Sequence, residues 1–121
     1  MVTHLENEGL IDAASSAGEQ IDPKTPVRGR ETLYGSAGGQ RQYASVRVHS
    51  TPEEHSVDMD LESGDGERES GRVINSRRFG SYVHYEQGPI GSERRITGDE
   101  AVPHVRSLIA RIAQQAPRTG H

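Results

Sequence analysis

Six His and eighteen acidic residues are the chain's main stock of reactive side chains. They gather most densely at Glu53, Glu54, His55, Asp58 and Asp60, with His49 a little before them. Imidazole and carboxylate donors hold a divalent metal when two share a helix face, or when a closed set surrounds the ion. Neither spacing is present, so the group reads as solvated charges at a turn, and no metal ligand is expected. Asp58 and Asp60 would share one face of a strand, and paired carboxylates can do acid–base work. The solvent side of a sheet places charges in this way routinely, and that reading is preferred. Ser36, in LYGSAGG, lacks the Gly-x-Ser-x-Gly elbow of a hydrolase nucleophile. Gly35, Gly38 and Gly39 could cradle an anion on backbone N–H groups, but no P-loop Lys follows. A flexible turn is expected there.

Arg72, Arg77, Arg78, Arg94 and Arg95 accompany Phe79, Tyr82 and Tyr85. Arginine beside aromatics is the composition of a protein–protein hot spot or of a stacking platform for single-stranded nucleic acid. The net charge of −4 and a pI of about 5.8 favour the protein interface. Ordinary surface arginine over a thin core remains open beside both. The residues expected to make contacts are Leu33, Tyr34, Arg77, Arg78, Phe79, Tyr82 and Tyr85. No catalytic residue and no cofactor is expected, and the chain reads as not an enzyme.

The elements that must carry these residues follow from periodicity. Thr3 and Glu6 have the spacing of a capping box. Leu5, Leu10, Ile11, Ala14 and Ala17 then predict a short helix over 3–18, stopped by Gly18. Two Pro exclude regular structure at the start of 21–39, and 30–36 fits a helical turn or a short strand. Ala44, Val46 and Val48 alternate with Ser45, Arg47 and His49, a half-buried strand. After a turn at 51–54, Val57, Met59 and Leu61 alternate with Asp58 and Asp60, completing a hairpin. Residues 63–70, SGDGERES, read as a mobile polar loop. A short strand over 72–75 follows, and 79–85 fits a helical turn as well as a strand. Gly88-Pro89 and the run to Gly98 read as loop. Val102, Val105, Leu108, Ile109 and Ile112 mark one face of a helix that starts at Ala101 or Val102, because Pro103 is tolerated only in a first turn. Pro117 ends it, leaving a polar tail over 116–121. The expectation is a single α+β domain over 1–121. It has a small antiparallel sheet of three to four strands packed with a C-terminal helix and a short N-terminal one.

Composition limits what such a domain can do alone. The chain is 31% hydrophobic and 4% aromatic, with no Trp and no Cys. Backbone ordering costs about 1–2 kcal/mol per residue, so a monomer of this composition is expected to be marginal and to depend on neighbours. Zero Cys rules out a disulfide scaffold and thiolate chemistry. Arg outnumbers Lys thirteen to one, a bias that suits bidentate pairing at interfaces and equally a GC-rich genome. No leader or membrane span is legible, and a soluble intracellular protein is expected.

The segments PKTPVRGRETLYGSAG and RVINSRRFGSYVHYEQGP, with the hairpin between them, resemble the tail-completion and minor capsid proteins at the necks of tailed bacteriophages. In that family a proline precedes a Thr-Gly-x-Leu-x-x-Ser segment. A β-meander, a short aromatic segment ending in Gly, and a C-terminal helix follow. Pro26, Leu33 and Ser36 match the first segment. Phe79, Gly80, Tyr82, Val83, Glu86 or Gln87, and Gly88 match the second. The departures are Arg30-Glu31-Thr32 after Gly29, and Phe79-Gly80 where Tyr-Ala is usual. The likeness spans about residues 23 to 112. It implies a non-enzymatic, ring-forming head–tail connector or tail-completion protein. Its partners would be copies of itself and the adjoining connector and tail proteins, with DNA passing through the lumen without specific binding. The location would be the virion, and the host cytoplasm during assembly. The alternative is a small protein-binding module of the immunity-protein or antitoxin type, offering the acidic hairpin around Asp58 and Asp60 to a basic target. A small enzyme using His49, His55 and Asp58 is a third possibility.

Overall fold

The computed structural model describes residues 3–21, 30–35, 41–63 and 65–114, with the backbone alone for 30–35, 41 and 42. Within them the order is α1 (His4–Ile21), β1 (Arg30–Gly35), β2 (Arg41–Ser50), β3 (Glu54–Glu62), β4 (Glu67–Ser76), β5 (Gly80–Pro89), β6 (Arg94–Thr97), a 3₁₀ turn (Gly98–Glu100) and α2 (Ala101–Gln114). The strands form one antiparallel sheet in sequence order, β1 to β6. Both helices pack on the same face of it and against each other. The α+β class is as expected. The sheet has six strands where three to four were anticipated, because 30–35 and 79–85 both resolve as strand, and it is extended further because two segments without apolar alternation also pair.

The first of these is the start of β4. Glu67–Ser70 were read as part of a mobile loop, yet Arg68, Glu69 and Ser70 pair with Glu62, Leu61 and Asp60 of β3, and Glu67 with Pro89 of β5, within a ten-residue strand. Only a short turn from Ser63 remains, closed by the Ser63 N–H on the Glu67 carbonyl at 3.0 Å. The second is β6. Residues 94–97 were read as loop, but they pair with His84–Gln87, so Gly88 and Pro89 end a strand rather than break the chain before one. In both places pairing to an established neighbour outweighs weak local propensity.

Elsewhere the patterns hold. Val48, Val46 and Ala44 of β2 sit opposite Val57, Met59 and Leu61 of β3. Val57 continues across to Val73 and Val83, which gives a valine row under the helices. Each of those positions on β3, β4 and β5 is fully buried. Gly71 lies between Met59 and Tyr85 in the next row. A Cβ there would stand 3.2 Å from both Leu108 Cδ2 and Met59 Cγ, so α2 seats its Leu108 where β4 offers no side chain. The 79–85 ambiguity resolves as strand from Gly80 onward, with Phe79 left in the β4–β5 turn.

Helix α1 begins at the predicted box. The Glu6 N–H donates to Thr3 Oγ1 at 3.1 Å, and the Thr3 N–H donates to Glu6 Oε2 at 3.4 Å. Gly18 does not stop it. Gly18 is buried and the helix runs to Ile21, itself in the core. A glycine costs a helix interior about 1 kcal/mol, less than burying a further aliphatic side chain returns. Helix α2 starts at Ala101 as expected and buries Val105, Leu108, Ile109 and Ile112. The core joins these residues to α1 and the sheet in one cluster. The tail 116–121, with Ser36, Gly38 and Gly39, lies outside the described residues.

Candidate protein-interaction site

Three groups of polar or exposed side chains stand out, on different parts of the sheet. The first is the face the helices leave open. The register lines up Arg47, Asp58, Arg72 and His84 in one row across the strands, and Ser45, Asp60, Ser70, Glu86 and Arg95 in the next. All of these but Ser45 line a shallow depression of about 350 Å³. Its charges are already satisfied internally. Arg72 grips Asp58 through two nitrogens at 2.5 and 3.3 Å. Arg68 holds Asp60 at 2.6 and 3.1 Å, and Arg95 reaches Glu86 at 2.6 Å. The guanidinium pKa values of Arg68 and Arg72 are raised, chiefly by hydrogen bonds to Asp60 and Asp58. Exposed pairs of this kind contribute about 0–1 kcal/mol each, while covering them with a partner removes hydration worth several kcal/mol per ion. The balance favours leaving this face in water.

The second group lies between the sheet and the helices. Tyr85 is 2% exposed, so its expected place at an interface is corrected. The β5 alternation turns it inward beside Ile96, and burial of its ring outweighs any surface role. Its hydroxyl donates to Glu69 Oε1 at 2.5 Å, Arg111 pairs with the same carboxylate, and His104 of α2 stacks on the ring at 4.9 Å. Burial first, and the Glu69 carboxylate second, push the phenol up to about 12. On α1, Glu8 binds His55 Nδ1 at 2.6 Å and lies 3.6 Å from His4 Nε2. The proposed His49, His55 and Asp58 grouping does not exist. His55 faces α1, whereas Asp58 is on the open face and His49 is exposed. Neighbours in sequence at odd spacing fall on opposite sides of a strand. No group of three metal-ligating side chains assembles among the described residues.

The third group surrounds the β4–β5 turn. Phe79 is 65% exposed, Tyr82 44% and Leu5 83%. Leu5 belongs to this end because its flanks are tied there. Asn75 Nδ2 donates to the His4 carbonyl at 3.1 Å, and Asn7 Nδ2 donates to the Ile74 and Tyr82 carbonyls at 3.1 and 3.2 Å. Tyr82 continues along the least charged row of the open face, opposite Ile74, Ser56 and His49. Arg78 stacks its guanidinium 5.3 Å above the Phe79 ring, and Arg77 is tied by its backbone N–H to the Glu53 carbonyl at 2.9 Å. Unlike Arg68, Arg72, Arg95 and Arg111, neither Arg77 nor Arg78 has a carboxylate within ion-pair distance among the described residues. The turn itself is hydrogen-bonded within. Ser76 Oγ accepts from the Arg78 and Phe79 N–H groups at 3.2 and 3.0 Å.

Four of the seven expected contact residues therefore share one end of the molecule: Arg77, Arg78, Phe79 and Tyr82. Arg72 and Arg95, expected near them, are committed to the ionic face. Leu33 and Tyr34 have their backbones in β1, and their side chains lie outside the described residues. Sequence reading missed Leu5, which its helix periodicity assigned to the buried side. No protein-family model matches this chain, and neither a curated protein nor a solved structure does.

Proposed function

We propose that this chain is a non-enzymatic structural protein that works by docking other protein subunits at its β4–β5 end. The observation that carries this reading is the contrast between two surfaces. The broad open face has its charges neutralised in place. The β4–β5 end holds exposed Phe79, Tyr82 and Leu5 beside two arginines that have no carboxylate partner among the described residues. Covering Phe79, Tyr82 and Leu5 removes apolar area from water, at about 25 cal/mol per Å², and Arg77 and Arg78 can offset their desolvation by pairing with carboxylates that a partner supplies. Aromatic and arginine side chains are also those that concentrate binding energy. The family resemblance gives the reading its specific form: a ring subunit of the head–tail connector or tail-completion type, present in the virion and assembled in the host cytoplasm. Mass measurement in solution by light scattering tests it. A discrete multimer supports a ring, and a monomer at every concentration up to the millimolar range overturns it.

The immunity-protein or antitoxin alternative has less to stand on. Its acidic hairpin would present Asp58 and Asp60 to a basic target, and both carboxylates are occupied by Arg72 and Arg68.

A further inference from the structure

We infer that the link between Asp65 and Gly66, in the turn joining β3 to β4, is a site of self-modification at which aspartate rearranges to isoaspartate, and that the turn restrains this reaction through Ser63 and Glu67. The inference is independent of the docking reading above. The chain holds one Asp-Gly and no Asn-Gly or Asp-Ser. A glycine after an aspartate leaves the backbone nitrogen unshielded, and a Cβ at Gly66 would meet nothing within 4 Å. Asp65 is exposed, so water reaches it. In the reaction the Gly66 nitrogen attacks Cγ of the Asp65 carboxylic acid. The N–Cγ bond forms, the bond from Cγ to the carboxyl hydroxyl breaks, and water leaves with that hydroxyl and the amide proton. A second water then opens the cyclic imide. Opening at the main-chain carbonyl leaves the chain running through Cβ and Cγ, one atom longer than before.

Both reacting groups are held by other partners in this structure. The Gly66 N–H donates to the Ser63 carbonyl at 3.2 Å. Asp65 Oδ1 accepts from the Ser63 hydroxyl and from the Glu67 N–H, the latter at 3.2 Å. These bonds direct the carboxylate to the residue beyond Gly66. They also hold its pKa below the ordinary aspartate value, Ser63 first and Glu67 second. Ring closure needs the protonated acid, because an ionised carboxylate has no hydroxyl to lose. The neighbouring strands have a stake in the restraint. The Gly66 carbonyl accepts from the Ile90 N–H at 2.9 Å, and the Glu67 carbonyl from the Ser63 N–H at 3.0 Å. One added main-chain atom between Asp65 and Gly66 displaces both bonds, so a single modification loosens the β3–β4 and β5–β6 turns together.

Ageing the full chain at neutral pH and physiological temperature tests this, with proteolysis and mass spectrometry that separates isoaspartyl from aspartyl peptides. Isoaspartate is expected to appear first at Asp65, and faster in the urea-unfolded chain than in the folded one. Ser63→Ala, folded by circular dichroism, should form it about 2- to 10-fold faster than wild type, the factor that corresponds to losing one restraining hydrogen bond. Ser63→Thr restores the hydroxyl and should behave as wild type. Asp65→Glu cannot close the same five-membered ring and should abolish the signal at this position. Isoaspartate accumulating first at another aspartate would overturn the assignment of the site. Equal rates in the folded and unfolded chains, or in wild type and Ser63→Ala, would overturn the restraint.

Discussion

Asn7 offers the sharpest test of how this fold is held together. It is 0% exposed, and its amide Nδ2 donates to the carbonyls of Ile74 and Tyr82, two residues that face each other across β4 and β5. Its Oδ1 finds no donor among the described residues. The side chain is thus a donor that pins the first turn of α1 to the sheet beneath it. Asn7→Asp keeps the shape and removes the donor. Two hydrogen bonds contribute about 0.5–1.5 kcal/mol each, and a carboxylate placed against two carbonyls adds a desolvation cost of several kcal/mol. The expected loss at neutral pH is at least about 3 kcal/mol by these terms, or roughly 12 °C at about 4 °C per kcal/mol for a chain of this length. Asn7→Ala loses the bonds without introducing the charge, and about 2 kcal/mol is expected.

The pH dependence separates the causes. Burial raises the introduced carboxyl above its unfolded value of about 3.9. The variant's stability is therefore greatest below about pH 4, where the group is protonated in both states, and it is lost as pH rises toward the raised folded value. Urea denaturation followed by far-ultraviolet circular dichroism at several pH values measures this directly. A variant within about 1 kcal/mol of wild type at neutral pH, less than the two bonds are worth, would refute the pin. So would a loss independent of pH, which would point to packing instead.

Three further outcomes follow from the same geometry. Ultraviolet titration should show a tyrosine ionising near 12, assigned by its absence in Tyr85→Phe; because this value is raised, the associated stability is complete below the ordinary tyrosine range near 10 and is lost as pH climbs through 12. A double-mutant cycle on Asp58 and Arg72, whose side chains are 42% and 56% exposed, should give a coupling of no more than about 1 kcal/mol that fades with salt, whereas a larger salt-insensitive value would mean the open face is not solvated. Gly71→Val should cost about 1–3 kcal/mol by overpacking against Leu108 and Met59, with Gly71→Val combined with Leu108→Ala recovering part of the loss in thermal melts.

Much of the architecture was legible in the chain alone. The Thr3–Glu6 cap, the β2–β3 hairpin and the inward face of α2 are short-range patterns, written in residues within a few positions of one another. Phe79 and Tyr82 of the β4–β5 end were also legible as candidates for contact, because aromatics are so few in this chain. Pairing was not. Glu67–Ser70 and Arg94–Thr97 carry no alternation of their own, and become strands because a neighbouring edge supplies partners for their backbone groups. The sidedness of individual residues escaped for the same reason. Tyr85 and Tyr82 are three positions apart, and a helical turn would have kept them together.

Local composition therefore determined which segments could be helix or strand, and which residue types were available for contact. Register determined which of them meet water. One ladder of backbone hydrogen bonds sends Tyr85 into the core and leaves Tyr82 outside, and it puts Arg68, Arg72 and Arg95 on an occupied ionic face, apart from Arg77 and Arg78, which have no carboxylate partner among the described residues. That assignment depends on strands far apart in the chain, since a side chain's face is set by the parity of its position in the ladder.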